Sequence, residues 1–177
     1  LYIAWHAGVS SWKNYRLLNK NSIGIEISNA GHSFKYKKFS QKQIASILKL
    51  TKFLIRKYKI KSKNILGHSD IAPDRKKDPG EKFPWNVLAK NRIGYWHNLN
   101  KIFLLKIRKL KTNNEEKKYF LKNLIKIGYS KNFKINKKKY SKVITVAFQR
   151  RFRQEIVDGI IDKECLFISK NLVKKYN

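Results

Sequence analysis

The sequence predicts a mixed α/β fold, in which a central mixed β-sheet is flanked by helices and followed by a small all-α domain of three helices. Three observations support this prediction. Residues 22–28 alternate between isoleucine and small or polar residues, as a half-buried strand does, and residues 41–59 repeat apolar side chains at helical spacing. Beyond residue 115, the regular patterns are those of short helices.

The first predicted strand covers residues 22–28. Because side chains along a strand point alternately to its two faces, its three isoleucines are expected to enter the core, while Glu26 faces the other side. A second, shorter strand is predicted over residues 64–68, and it ends at His68. These two strands form the predicted sheet.

A helix is predicted to begin after Ser40, because Gln43 follows three residues later and completes a capping box. Apolar residues recur at helical spacing through residues 41–59, so one side of this helix is expected to pack on the sheet. All three prolines of the chain then fall between residues 73 and 84. This density predicts a rigid loop without regular structure from about residue 70 to residue 84.

A polar and basic stretch from residue 106 to residue 118 predicts a boundary between two domains. We assign residues 1–100 to the α/β domain, residues 101–114 to a linker and residues 115–177 to the helical domain. Within the helical domain the apolar spacing predicts three helices. They are expected at about 115–127, ending at Gly128, at about 141–153, and from about Asp162 onward.

The charge of the chain is strongly positive, with 42 Lys and Arg against 11 Asp and Glu and a formal net charge of +31. Such a charge attracts nucleic acid, anionic lipid or an acidic cell envelope. Biased composition is the alternative explanation, because Lys, Asn and Ile are all frequent. The lysines are scattered, and no basic helix carries aromatic residues at a regular spacing, so we predict no nucleic-acid partner.

Other features of the composition limit the class of protein. No apolar stretch approaches the roughly 20 residues that cross a bilayer, so no transmembrane segment is predicted. The single cysteine, Cys165, excludes an internal disulfide and is expected to be a small buried residue. The chain contains no Met and opens within an apolar run, so we interpret Leu1 as an internal position of a longer protein.

The loop after His68 contains the residues that indicate chemistry. His68 is followed ten residues later by Asp78, in a loop braced by prolines. A histidine nitrogen and a carboxylate oxygen can bind one zinc ion, which in catalytic sites has three protein ligands and one open position. On spacing alone, a surface histidine and a solvated aspartate explain the pair more simply.

Four motifs resemble those of one family, and their order and spacing agree from residue 1 to about residue 96. Residues 67–80, which contain His68 and Asp78, closely resemble the metal-binding loop of type-2 N-acetylmuramoyl-L-alanine amidases, members of the superfamily of peptidoglycan-recognition proteins. Further hallmarks match at residues 4–10, at residues 19–27 and at residues 83–85.

The resemblance implies a role for each matching residue. His68 and Asp78 are two of the three ligands of a Zn²⁺ cofactor. Glu26 is the catalytic carboxylate that takes a proton from zinc-bound water, and Lys76 is the catalytic cation that stabilises the oxyanion. The residues implied to bind substrate are Trp5, His6 and Asn19.

The third zinc ligand of the family is a histidine that lies upstream of residue 4, and neither His32 nor His97 matches its context. The resemblance therefore implies a chain that is truncated at its N-terminus. At the other end, residues 115–175 resemble the small helical peptidoglycan-binding domain that is often fused to these amidases. Matching residues include Tyr129 and the turn at residues 157–159.

The implied activity is zinc-dependent hydrolysis of the amide bond between N-acetylmuramic acid and L-alanine in peptidoglycan, by a bacterial hydrolase. The alternative is a catalytically impaired remnant that binds peptidoglycan without a third zinc ligand. The implied partners are peptidoglycan or muropeptides, and a monomer is expected. The implied location is the periplasm or cell envelope, with cytoplasmic and secreted locations as alternatives.

Overall fold

A computed structural model describes residues 3–131 and 135–176, and helices dominate this part of the chain. The structure is mixed α/β, and within the described residues the sheet is a two-stranded hairpin. The strands are Ser11–Trp12 (β1) and Tyr15–Arg16 (β2), and the helices are Gln41–Tyr58 (α1), His68–Ile71 (α2), Trp85–Lys90 (α3), Lys101–Ile107 (α4), Asn114–Ile127 (α5), Lys137–Phe152 (α6) and Lys163–Tyr176 (α7). Single 3₁₀ turns form at Leu18–Lys20 and Ser62–Asn64.

The hairpin joins the N-terminal segment to the end of α5. Its strands are antiparallel, with Trp12 opposite Tyr15. The amide of Lys13, in the turn, donates to the carbonyl of Gly128 at 2.7 Å. The buried Trp12 ring packs edge-on against Tyr129, with 5.1 Å between the ring centroids. The hairpin is therefore held by the C-terminal half of the chain.

The two strand predictions are wrong, since the described residues form no strand at 22–28 or at 64–68. Alternating isoleucines stabilise a strand only where a neighbouring strand pairs with its backbone and a core covers its apolar face. Ile23 is 50% exposed and Ile25 is 36% exposed, so neither enters the core as predicted. The second segment instead contains a 3₁₀ turn, and His68 begins α2 rather than ending a strand.

Local signals located the helices more accurately than the strands. Ser40 caps α1, and its side chain and that of Gln43 form the predicted capping box. Ile47 of α1 packs in an apolar cluster with Phe83 and Leu88, and not on a sheet. The amide of Gly128, with φ 141°, caps the C-terminus of α5 by donating to the carbonyl of Leu124.

The C-terminal helices also agree with the sequence prediction, because α6 and α7 overlap the two predicted helices. Cys165 is buried, as expected. The predicted linker contains α4, which the sequence analysis missed. Just after α4, Arg108 forms ion pairs with Glu164 and Glu155 that fasten this segment to the C-terminal helices.

One apolar cluster spans both predicted domains. Trp12 and Leu104 lie in the same cluster as Phe120, Phe148 and Leu172. The division at residues 101–114 stays a prediction. None of the described helices combines the length and the apolar character that a bilayer-spanning helix needs.

Candidate functional site

The loop between α2 and α3 brings His68 and Asp78 together. Nδ1 of His68 lies 3.0 Å from Oδ2 of Asp78. On the other side of the ring, Nε2 of His68 lies 3.3 Å from the carbonyl oxygen of Ala7. The His68 side chain is 18% exposed and the Asp78 side chain 59% exposed, so the pair lies at the surface with its carboxylate open to solvent.

The two nitrogens of His68 therefore both face oxygen atoms that accept hydrogen bonds. A protonated imidazole can donate to both oxygens, whereas a neutral imidazole has only one N–H and can satisfy only one of them. If Nε2–H donates to Ala7, the lone pair of Nδ1 faces the carboxylate of Asp78, and a cation between them relieves the conflict. A metal-binding histidine commonly donates its second N–H to a backbone carbonyl in this manner.

The distance also suits zinc. Two ligands at about 2.0–2.1 Å in tetrahedral geometry are separated by about 3.3 Å, close to the observed 3.0 Å between the two donor atoms. The pair therefore fits two positions of a zinc site. Among residues 3–131 and 135–176, no group of three or more His, Cys, Asp or Glu side chains could hold a metal ion.

Charge around Asp78 keeps its carboxyl group ionised. Partial burial acts to raise the pKa of Asp78, but the hydrogen bond and the positive charge of His68 outweigh it, and the net pKa is lowered. The ammonium group of Lys76 lowers this pKa further. Lys76 therefore contributes positive charge beside the His68–Asp78 pair, the region in which the resemblance expects it to act.

Backbone and side-chain hydrogen bonds shape the loop itself. The amide of Ser69 donates to the carbonyl of Asp78 at 2.8 Å, which ties the two ends of the loop together. The carboxylate of Asp70 accepts from the amide of Gly67 at 2.8 Å and so caps the first turn of α2. A Cβ atom on Gly67 would lie 2.7 Å from Cδ of Pro79, so only glycine fits there.

The segment before the hairpin forms the other wall of the site. Oδ1 of Asn19 accepts hydrogen bonds from the amides of His6, Ala7 and Gly8 at 3.2, 2.7 and 3.1 Å. The guanidinium of Arg75 donates to the carbonyls of Ala7 and Val9. Together these contacts fix the carbonyl of Ala7 against His68.

The remaining predicted residues lie around this segment. Trp5 is 88% exposed, and Nε2 of His6 lies 2.8 Å from the hydroxyl oxygen of Ser22. A Cβ atom on Gly24 would lie 2.8 Å from the ring of His6, so the segment carrying Glu26 passes beside this histidine. Glu26 is exposed, and within the described part of the chain it makes no hydrogen bond or ion pair with His68 or Asp78.

Three residues that support the site were missed by the sequence analysis. Arg75 lies inside a recognised motif, but its contact with Ala7 depends on tertiary structure. Arg151, in α6, and Tyr129, just after α5, both bind the carboxylate of Asp70. One signal could have identified Arg151, because it continues the apolar stripe of α6 at helical spacing, where a charged residue needs a buried partner.

Comparisons with known proteins identify the family that the chain resembles. The family model for N-acetylmuramoyl-L-alanine amidase matches residues 1–81. The N-acetylmuramoyl-L-alanine amidase AmiD of Escherichia coli (strain K12) is 36% identical over an alignment of 179 residues, which covers 98% of this chain and 64% of that protein. The 1,6-anhydro-N-acetylmuramyl-L-alanine amidase AmpD of Enterobacter cloacae is 41% identical over 83 residues, 47% of this chain and 42% of that protein.

Solved structures give the same relationship. The structure of AmiD from E. coli, in complex with the substrate anhydro-N-acetylmuramic acid-L-Ala-D-γ-Glu-L-Lys, has a TM-score of 0.84 at 36% identity, covering 98% of this chain and 69% of that chain. AMPDH3 from Pseudomonas aeruginosa has a TM-score of 0.82 at 34% identity, covering 99% of this chain and 70% of that chain. The chain thus spans under two thirds of the full AmiD sequence and under half of AmpD. The identity and the shared fold together show that the protein belongs to the N-acetylmuramoyl-L-alanine amidase family.

Proposed function

We propose that this protein hydrolyses the amide bond between the muramyl lactyl group and L-alanine in peptidoglycan fragments, with zinc as its cofactor. The observation that carries the proposal is the His68–Asp78 pair, whose donor atoms lie 3.0 Å apart while the second nitrogen of His68 faces a backbone carbonyl. Membership of the amidase family supports the choice of reaction.

His68 and Asp78 would supply two ligands to the metal ion. A bound zinc ion supplies a water molecule of lowered pKa, about 7, and polarises the carbonyl group that is attacked. Glu26 would accept the proton of the attacking water, the role that the family resemblance implies, and the exposed segment that carries it passes beside His6. Lys76 would stabilise the negative charge that develops on the amide oxygen, since its charge already acts on Asp78.

The substrate class we propose is the anhydromuropeptides. AmiD was solved with anhydro-N-acetylmuramic acid-L-Ala-D-γ-Glu-L-Lys, and AMPDH3 with an anhydromuramic pentapeptide. Stem peptides of this kind carry free carboxylates, which a chain with a net charge of +31 attracts. Trp5, which is 88% exposed, and the nearby His6 would contact the ligand. Such a substrate is consistent with action in the periplasm or cell envelope.

The test is release of the stem peptide from an anhydromuropeptide, followed by mass spectrometry with zinc added. Wild-type protein is expected to release free L-Ala-D-Glu peptides, while His68→Ala and Asp78→Ala lower the rate by 100-fold or more. Asp74→Ala is the matched control, because it removes an exposed carboxylate from the same loop and should keep the wild-type rate. No peptide release by the wild type at any zinc concentration contradicts the proposal.

A second candidate function is binding of peptidoglycan without hydrolysis. The observation that favours it is that the described residues contain no group of three or more side chains that could hold a metal ion. Elemental analysis separates the two functions, because a hydrolase retains about one zinc ion per chain. Sedimentation with purified peptidoglycan, in the absence of zinc and of peptide release, supports the binding function instead.

A further inference from the structure

A buried charge pair joins the C-terminal helices to the candidate metal loop. The guanidinium of Arg151, at the end of α6, forms an ion pair with the carboxylate of Asp70, and both side chains are 1% exposed. The second guanidinium nitrogen donates to the carbonyl of Ile65 at 2.9 Å. Arg151 thus binds the chain on both sides of Gly67, immediately next to His68.

Tyr129 completes this cluster from the end of α5. Its hydroxyl donates to Oδ1 of Asp70 at 2.8 Å, while Oδ2 accepts from Arg151 and from the amide of Gly67. Burial, followed by the charge of Asp70, raises the pKa of Tyr129 well above its usual value, so the phenol keeps its proton at neutral pH. The three donors to the Asp70 carboxylate, the Gly67 amide, the Tyr129 hydroxyl and the Arg151 guanidinium, are therefore all buried.

Aromatic rings hold the guanidinium in place. The central carbon of Arg151 lies 4.1 Å from the ring centroid of Trp85 and 4.8 Å from that of Tyr95. Trp85 also limits the space at Gly67, where an added Cβ atom would lie 3.1 Å from its ring. Movement of Arg151 would consequently release both the cap of α2 and the ring that packs against the loop.

We propose that Arg151 and Tyr129 are positioning residues for the metal loop, which act through Asp70 to hold His68 against Asp78. This inference rests on the proposed amidase function for its kinetic consequence. The chain of contacts is short. Asp70 caps the first turn of α2, His68 is the first residue of that turn, and the amide of the intervening Ser69 donates to Asp78. The C-terminal helices thereby become part of the catalytic framework, in addition to any role in binding the cell wall.

Arg153 provides a matched control on the same part of the chain. It is also fully buried, and its guanidinium pairs with Asp162 and Asp158, both in the C-terminal half. Arg153→Met thus removes a buried ion pair without touching the metal loop. Arg151→Met removes a buried ion pair that does contact the metal loop, through Asp70.

The first readout is hydrogen exchange, which needs no bound metal. We expect the exchange rate of the Ser69 amide, divided by that of the Phe148 amide in the core of α6, to rise at least tenfold in Arg151→Met. In Arg153→Met this ratio should stay within twofold of the wild type, because general destabilisation accelerates both amides. Tyr129→Phe removes a single hydroxyl and keeps the ring, so it tests the support of the Asp70 carboxylate if Arg151→Met does not fold.

The second readout is kinetic, with the anhydromuropeptide and added zinc. Tyr129→Phe and Arg151→Met should lower kcat about tenfold or more while KM changes less than twofold, and Arg151→Lys should restore part of kcat. An unchanged exchange ratio and kcat in both variants overturn the positioning role. If the wild type itself releases no peptide, the proposed amidase function fails, and the exchange ratio alone decides the role of Arg151 and Tyr129.

Discussion

Asn19 organises the segment around His6 through a single side-chain oxygen. That oxygen accepts three backbone hydrogen bonds, from residues 6, 7 and 8. Since a carboxamide oxygen has two lone pairs, its capacity to accept is fully used within the protein. The geometry therefore gives Asn19 a role in fixing the wall of the site, and its contact with substrate stays a prediction.

Replacement of Asn19 by alanine should destabilise the fold, because three amides lose their shared acceptor. We expect a loss of about 1–3 kcal/mol in the free energy of unfolding, measured by urea denaturation. Asn114→Ala is a suitable control, since this exposed residue at the start of α5 has no side-chain hydrogen bond in the described structure. Equal stability of the two variants would contradict the role assigned to Asn19.

His97 should make stability depend on pH. Burial, and secondly the positive charge of Lys175, lower the pKa of His97 to about 4, against an opposing backbone hydrogen bond with Phe152. The ordinary value is about 6.5, so the unfolded chain binds the proton more readily. The contribution of His97 is therefore complete above about pH 6.5 and is lost as the pH falls through about 4.

The pH dependence can be measured by comparing urea denaturation of the wild type with that of His97→Gln. Between about pH 7 and pH 4, the wild type should lose on the order of 2 kcal/mol more than the variant, after allowance for the partial exposure of the ring. Parallel curves for the two proteins would show that the imidazole does not titrate differently on unfolding.

At the scale of residues, the sequence identified the two residues that the structure brings together, His68 and Asp78, because their motif is short and specific. It could not identify Arg151 as the partner of Asp70. These two residues are 81 positions apart, and no local pattern links them. Long-range polar contacts depend on how elements pack, and a single sequence does not record which elements meet.

Gly128 joins two elements, since it ends α5 and receives the hairpin. Its φ of 141° and its contact with Trp12 both require glycine, because an added Cβ atom would lie 2.6 Å from Cζ2 of that ring. Trp12 is buried and packs edge-on against Tyr129, so its ring is confined on this side as well.

Gly128→Ala should therefore cost about 3 kcal/mol or more, measured as a loss in the free energy of unfolding. Gly31→Ala is the control. Gly31 also has a positive φ, of 69°, but nothing lies within 4 Å of an added Cβ atom, so backbone strain of about 1 kcal/mol is the whole cost. A similar loss in both variants would assign the effect at Gly128 to backbone strain rather than to the clash with Trp12.

Elements with local signals were predicted well, and elements that need distant partners were not. Ser40 with Gln43 and the cap at Gly128 are each complete within a few residues, so the helices they delimit could be recognised. The alternation at residues 22–28 specifies which side chains share a face. It does not supply the neighbouring strand without which no ladder forms. Helix α4 was missed because the predicted linker took in residues 101–107, although this segment is mainly apolar.

For the molecule as a whole, a shared apolar cluster connects the two halves. Buried residues before residue 105, among them Trp12 and Leu104, contact the same cluster as Phe120 and Phe148. Neither half therefore covers its own apolar surface, and the two should unfold together.

Removal of residues 112–177 tests this cohesion. The shortened chain should lose the near-ultraviolet circular dichroism of its packed tryptophans and bind a hydrophobic dye, because Trp12 and Leu104 lose their partners. The full chain should unfold in one transition in urea, and the transition curves from tryptophan fluorescence and from circular dichroism should coincide. A shortened chain with intact near-ultraviolet signal would instead show that the first hundred residues fold independently.

The exposed isoleucines at 23 and 25 have a consequence for colloidal behaviour. They form an exposed apolar segment with high β-propensity, which favours association between molecules. A net charge of +31 opposes this association through electrostatic repulsion. Added electrolyte shortens the reach of that repulsion from about 30 Å at 0.01 M to about 3 Å at 1 M. Light scattering by the wild type should accordingly increase with ionic strength, and it should increase less in Ile25→Lys. Buffers of low ionic strength should therefore keep the molecules dispersed.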